Sequence, residues 1–249
     1  MENAALSIAG LRAGCGDAFQ VRAKGVSVLT DNGDFEQRAA MALAAGRLGA
    51  CGGARSVLKR GFDIVVALLA LLLFLPLLLL VMVTIQIESP GPAIFRQRRT
   101  GYRGKVFTIL KFRTMTVTED SGEIRQATKD DVRVTAVGAM LRKLSVDELP
   151  QLWNVLRGDM SIVGPRPHAL AHDAYYGALI PTYAARFRAK PGLTGYAQIN
   201  GFRGEINDMR CMSDRIAADN SYIEEWSLAL DVAILLKTVP LVFRDPNAY

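Results

Sequence analysis

IVVALLALLLFLPLLLLVMVTIQI, residues 64–87, is the stretch on which the fold turns. It holds no charged side chain and consists mostly of Leu, Val, Ile and Ala. At 1.5 Å per residue a 24-residue helix is about 36 Å long, enough to cross roughly 30 Å of hydrocarbon. Soluble helices are rarely apolar on every face, so the segment predicts membrane contact. Pro76, near its middle, removes a backbone donor and favours a bend. Arg55, Lys59 and Arg60 precede the segment. Arg96, Arg98, Arg99, Arg103, Lys105, Lys111 and Arg113 follow it, with no acid between Glu88 and Glu119. A spanning helix carries its basic excess on the cytoplasmic side only. With both flanks basic, the expected geometry is a re-entrant helix that breaks at Pro76 and returns to the cytosolic face. A Pro-containing span is the competing reading.

Working outward, composition bounds the class. Of 249 residues, 50% are hydrophobic, which excludes a disordered chain, and 22 Gly with 10 Pro is far from a collagen-like sequence. Thirty Lys and Arg against 24 Asp and Glu give +6, which suggests an anionic partner without choosing among nucleic acid, phosphate and lipid headgroup. Cys15, Cys51 and Cys211 are odd in number and lack CxxC spacing. Neither a disulfide framework nor a zinc site is expected, and a reducing compartment is the simpler reading. Residues 1–54 contain no apolar run long enough for a secretory signal and read as a poorly ordered extension with one helix near Phe35–Leu48. The expected organisation is an extension over 1–56, a membrane helix over 57–88 and the main folded domain over 89–249.

Ser89-Pro90-Gly91-Pro92 is a turn signal. Ala93–Arg96 and Lys105–Met115 then read as two strands of a hairpin, with Lys111 and Arg113 on one face of the second. Residues 119–131 are polar and loop-like. Helices are expected over Val137–Leu144, Leu149–Leu156, 168–189 and 208–225. Leu228–Leu236 is apolar, with Asp231 inside it, and too short to span. The fold class is α+β.

Ser145-Val146-Asp147-Glu148 matches a capping box, with a helix beginning at Val146. Paired carboxylates there suit a nucleophile and metal ligand for phosphate chemistry; the plainer reading is that Glu148 completes the cap and Asp147 complements the helix dipole. Pro165-Arg166-Pro167 fixes an arginine between rigid residues, a geometry suited to gripping a phosphate or carboxylate, or simply a surface turn. Lys111 and Arg113 suit an anionic pocket or lipid headgroups. His168 and His172 stand at i, i+4 beside Asp173, so a metal pair is an alternative, without a third ligand at diagnostic spacing.

KRGFDIV leading into the apolar segment, SPGPAIFRQRRTGYRGKVFTILKFRTM, LRKLSVDELPQLWNVLRGDMSIVGPRP, KPGLTGYAQINGFRGE and the terminal NAY together resemble the monotopic polyprenyl-phosphate phosphoglycosyltransferases. These bacterial sugar transferases begin exopolysaccharide and O-antigen synthesis. The resemblance runs from Lys59 to Tyr249. It implies a re-entrant helix and an interfacial catalytic domain on the cytosolic face of the bacterial inner membrane. The implied reaction moves a sugar-1-phosphate from a UDP-sugar to undecaprenyl phosphate, releases UMP and uses Mg2+. By motif, Asp147 would be the nucleophile carrying a covalent phosphosugar, and Glu148 would join it in holding magnesium. Lys111, Arg113, Arg142 and Arg166 would hold phosphates. The GFRGE and NAY features resemble members that transfer glucose or galactose phosphate, glucose being the first expectation. Many relatives have Ser before the kinking proline and Trp in the KPG block, where this chain has Leu75 and Tyr196. Nucleic acid is not an expected partner, and a homodimer is left open. The rival readings are a non-catalytic, membrane-anchored polyanion-binding module and a hydrolase centred on the two histidines.

Overall fold

The computed structural model describes residues 52–116, 131–202, 204 and 208–244; the expected helix near Phe35–Leu48, the loop at 119–131 (save its last residue) and the terminal NAY lie outside them. The described chain runs α1 (Val57–Glu88), β1 (Ile94–Thr100), β2 (Val106–Phe112), α2 (Ala136–Lys143), α3 (Gln151–Arg157), β3 (Ser161–Val163), α4 (Leu170–Leu179), β4 (Gly192–Thr194), α5 (Met209–Glu224) and α6 (Leu228–Arg244). One-turn helices at Gly52–Arg55 and Tyr196–Ile199 and 3-10 segments at Tyr102–Gly104, Val146–Glu148 and Tyr183–Arg188 complete the described elements. This is an α+β fold with one long apolar helix and two small sheets.

α1 is continuous through Pro76, where the sequence predicts a break. The proline forfeits one bond, from its own nitrogen to the Leu72 carbonyl, and the turns on either side stay helical. By length and composition the helix could cross a bilayer. Yet it is docked along its length, because Lys59, Asp63, Ala67, Leu78, Val81 and Ile85 are buried at spacings of three, four or eleven residues, close to whole helical turns and so a single stripe. Ala67 packs with Val155, Ile162 and Ile234 in one core cluster, while Leu78, Val81 and Ile85 pack with Phe112 and Leu141 in another. The opposite face is bare leucine, including Leu73 at 73% and Leu80 at 63% exposure, an apolar surface for lipid.

Polar groups tie both ends of α1 to the same domain. At its start, Lys59 lies 3.0 Å from Asp63 and 2.8 Å from Asp231 of α6, all three buried. Asp63 also accepts from Ser161 Oγ and the Ile162 N–H, each at 3.0 Å. Arg60 donates to the Val155 and Leu156 carbonyls at the end of α3. At the far end, Glu88 accepts from the Val137 N–H at 2.9 Å, and Arg113 donates to the Ser89 and Pro90 carbonyls.

β1 and β2 form an antiparallel hairpin with Phe95 opposite Lys111 and Arg99 opposite Phe107, so β1 runs four residues further than expected. Asn154, fully buried on α3, completes the free edge of β2: its amide donates to the Thr108 carbonyl and its Oδ1 accepts from the Leu110 N–H. The parallel pair β3–β4 is absent from the sequence expectation. Residues 168–189 divide into α4 and a 3-10 segment rather than one helix. Cys211 is disulfide-bonded, a single bridge and not a framework.

Candidate active site

Ser145 takes a left-handed conformation, φ 55°, and does not cap the turn that follows. The expected capping box is therefore replaced by a sharp corner, a conformation that costs a non-glycine residue energy and is often found at functional sites. Glu148 does not reach back to the backbone because two cations across the site bind it more strongly than a neutral amide would. Lys111 Nζ lies 2.8 Å from its Oε1, and Arg166 donates to Oε2 at 3.0 Å and to Oε1 at 2.5 Å. Burial alone would raise the Glu148 pKa, but Arg166 and Lys111 outweigh it and hold the carboxyl well below the usual range.

Asp147, one residue earlier, is equally buried at 9% exposure. Among the described residues no hydrogen-bond donor or ion-pair partner holds its carboxylate. Burial and then the neighbouring Glu148 push its pKa up to about 6, against the pull of Lys111, Arg166 and Arg142. The two acids thus have divided properties: one is clamped and ionised, the other uncommitted. Divergent pairs of this kind mark acid–base or nucleophilic sites.

Each cation arrives on a different element. Lys111 comes from β2, its position set by Asn154 on the strand edge beside it. Arg142 comes from α2, where Nε donates to Thr114 Oγ1 at 3.0 Å. α2 can lie so close because residue 138 is glycine; a Cβ there would sit 2.2 Å from the Thr114 carbonyl oxygen. Arg166 follows Gly164, whose missing side chain lets β3 and β4 meet closely, since a Cβ would stand 2.3 Å from the Lys190 carbonyl oxygen.

Arg113 is not brought to this cluster. The strand ends at Phe112, and its guanidinium turns to the carbonyls that end α1, so its role here is to dock the membrane helix. The sequence reading missed Arg99, which the hairpin register puts on the same face as Lys111. Burial and then Arg166 lower its pKa to about 10. His168 engages its Nδ1 in the core, facing the Tyr183 hydroxyl at 2.7 Å and Arg186 Nη1 at 2.5 Å. Burial and Arg186 hold its pKa well below the ordinary value. Among the described residues no three His, Cys, Asp or Glu side chains gather as a metal site.

Two adjacent carboxylates are a sparse donor set, but one that fits magnesium in phosphate chemistry, where substrate oxygens and water complete the shell. Asp147 has open oxygens, and three donors leave part of the acceptor capacity of Glu148 free.

An acid pair ringed by cations, on an α+β domain docked along an apolar helix, defines an enzyme module for phosphate esters at a membrane surface. The chain belongs to the bacterial sugar transferases, whose family model matches residues 54–245. It is 58% identical over 191 residues to the UDP-glucose:undecaprenyl-phosphate glucose-1-phosphate transferase of Caulobacter vibrioides, covering 77% of this chain and 72% of that protein. To the Escherichia coli K12 protein of the same name it is 50% identical over 197 residues, covering 79% of this chain and 42% of that protein. To the exopolysaccharide production protein PSS of Rhizobium leguminosarum it is 45% identical over 187 residues, 74% of this chain and 94% of that protein. The matched region is therefore less than half of the E. coli relative and nearly all of the Rhizobium one.

Proposed function

We propose that this protein transfers glucose-1-phosphate from UDP-glucose to undecaprenyl phosphate, releasing UMP, as the first membrane step of exopolysaccharide synthesis. The names of the Caulobacter and E. coli relatives support the donor and acceptor. The observation that carries the chemistry is the uncommitted Asp147 carboxylate beside a Glu148 locked by Lys111 and Arg166. Asp147 attacks the sugar-bearing phosphorus. A carboxylate O–P bond forms, the bridging P–O bond to UMP breaks, and UMP leaves with the electron pair. An oxygen of undecaprenyl phosphate then attacks the same phosphorus and returns Asp147 to its ionised form. Splitting the reaction means the soluble donor and the lipid acceptor never have to share one transition state.

Phosphoryl transfer depends on positioning and charge neutralisation more than on proton transfer. Lys111, Arg142 and Arg166 supply the charge, and a pKa of about 6 leaves Asp147 ionised at neutral pH. Magnesium, held by Asp147 and Glu148, would add further neutralisation of the diphosphate. Because both ends of α1 are pinned to one domain, we read the helix as monotopic, with its leucine face in the cytosolic leaflet of the inner membrane. The test is UMP release by purified protein given UDP-glucose, undecaprenyl phosphate and magnesium. With donor alone, mass spectrometry should find a hexose-phosphate adduct on the Asp147 peptide. Absence of UMP release overturns the activity, and absence of the adduct overturns the covalent route.

A further inference from the structure

The arginine that grips Glu148 is itself held from behind. Three backbone groups of the Gly164-Pro165-Arg166 segment are pinned in succession. The Gly164 N–H donates to the Thr194 carbonyl at 2.9 Å, and the Pro165 carbonyl accepts from the Gly192 N–H at 2.9 Å. Both partners belong to β4. The third group, the Arg166 carbonyl, accepts instead from a side chain, Arg186 Nη2. Arg186 lies in the 3-10 segment Tyr183–Arg188 and is 3% exposed. The same Nη2 donates to Asp219 Oδ2 of α5 at 3.0 Å, while Nη1 reaches the Tyr183 hydroxyl at 3.2 Å and His168 Nδ1 at 2.5 Å. Its guanidinium is a rigid plane, so fixing one edge on Asp219, Tyr183 and His168 fixes where the Arg166 carbonyl must sit. Pro165 and Pro167 restrict the backbone on either side.

We propose that Arg186, anchored by Asp219, is a positioning residue for the transfer reaction: it sets the Arg166 backbone so that the Arg166 fork presents one orientation to Glu148 and to the substrate phosphate. The proposal rests on the transferase reading above. Arg186 makes no hydrogen bond to Asp147 or Glu148, so it acts through Arg166. Were it only a core ion pair, its loss would weaken the fold and slow every variant alike. A lysine keeps the charge but offers a single nitrogen, which cannot copy the planar two-edged arrangement.

A double-mutant cycle on the full chain in detergent separates these cases, using Arg186→Lys, Arg166→Ala and the pair, read by UMP release and by thermal unfolding. Arg186→Lys should lower kcat/KM by about 10- to 100-fold in the parent, and by less than about 2-fold where Arg166 is already alanine. Equal losses in both backgrounds overturn the proposal, as does no loss in the parent. If Arg186→Lys does not fold, Asp219→Asn carries the same cycle. Where rates fall below detection, a crystal structure of the folded single variant at position 186 or 219 decides. Arg166 displaced from Glu148 is expected, and an undisturbed pair overturns the proposal. A parent enzyme inert toward UDP-glucose would count against the transferase reading, while the same structure would still judge the positioning role.

Discussion

Arg166 holds Glu148 by two hydrogen bonds, Nη1 to Oε2 at 3.0 Å and Nη2 to Oε1 at 2.5 Å, while no donor among the described residues holds Asp147, its chain neighbour. From this asymmetry the two acids should fail differently when changed. Asp147→Asn should abolish UMP release without unfolding the protein, because the carboxylate has no bond to lose. Turnover by this variant at more than about one hundredth of the parental rate would remove the nucleophile assignment.

The same carboxylate gives a pH signature. Its folded pKa is raised to about 6, above the unfolded value near 4, so the folded state binds the proton more tightly. Its contribution to stability is complete below about pH 4 and lost as pH rises through about 6. Asp173 and Asp219 are raised to about 6 as well, so the parental curve sums several groups. The contribution of Asp147 is isolated by subtraction, measuring urea unfolding of parent and Asp147→Asn from pH 4 to 8 in magnesium-free buffer. The parent should lose stability relative to the variant across that window. UMP release should fall as pH drops below about 6, since protonated Asp147 cannot attack.

Glu148 has the opposite sign. Its depressed pKa means stability that is present above the usual carboxylate value and lost as pH falls through the lowered one. Arg166→Ala strips two of its three hydrogen bonds, leaving Lys111 at 2.8 Å. Stability at pH 7 should fall by about 1.5–3 kcal/mol, with a large drop in UMP release. A variant as stable as the parent in urea unfolding would show that the pair contributes nothing to the fold.

How far the sequence could be read follows from the range of each signal. The apolar run, the hairpin and the membrane contact are legible because they rest on long local patterns. Asp147, Glu148 and Arg166 are legible as candidates, with expected roles, from motif and resemblance; that Glu148 is clamped while Asp147 is not depends on cations from other elements and is not legible. β3 and β4 escape notice because three residues are too few to show alternation. The Ser145 corner looks like a capping box until Lys111 and Arg166, distant in sequence, compete for Glu148. Arg113 is misassigned because alternation is extended one residue past the end of β2, where the chain turns toward α1. Arg99 could have been found from register alone, had the pairing of Phe95 with Lys111 been known.

Lys59 bridges two buried acids, Asp63 at 3.0 Å and Asp231 at 2.8 Å, and so joins the membrane helix to α6. Lys59→Met leaves two buried carboxylates unpaired and should cost about 3–5 kcal/mol. Asp231→Asn should cost less, since Lys59 keeps Asp63 and the side-chain oxygen still accepts from Tyr222. Urea unfolding in detergent measures both. The reverse order would mean that the lysine is not the bridge.

The last expectation concerns the membrane. Lys59 and Ile85 both rest on one domain, although 26 residues of helix separate them by about 39 Å if straight. A helix crossing the bilayer would have to carry one of these ends away from the domain and break either the Lys59–Asp231 bridge or the packing of Ile85 with Phe112 and Leu141. Single cysteines at Val57 and Arg96, both exposed, on a background with Cys15, Cys51 and Cys211 replaced, test this directly. An impermeant maleimide should label both in inside-out vesicles and neither in right-side-out ones. A cysteine at Leu73, on the bare apolar face, should stay unlabelled in either while lipid covers it. Labelling of positions 57 and 96 from opposite sides would establish a span and require that the docked arrangement of α1 open in the membrane.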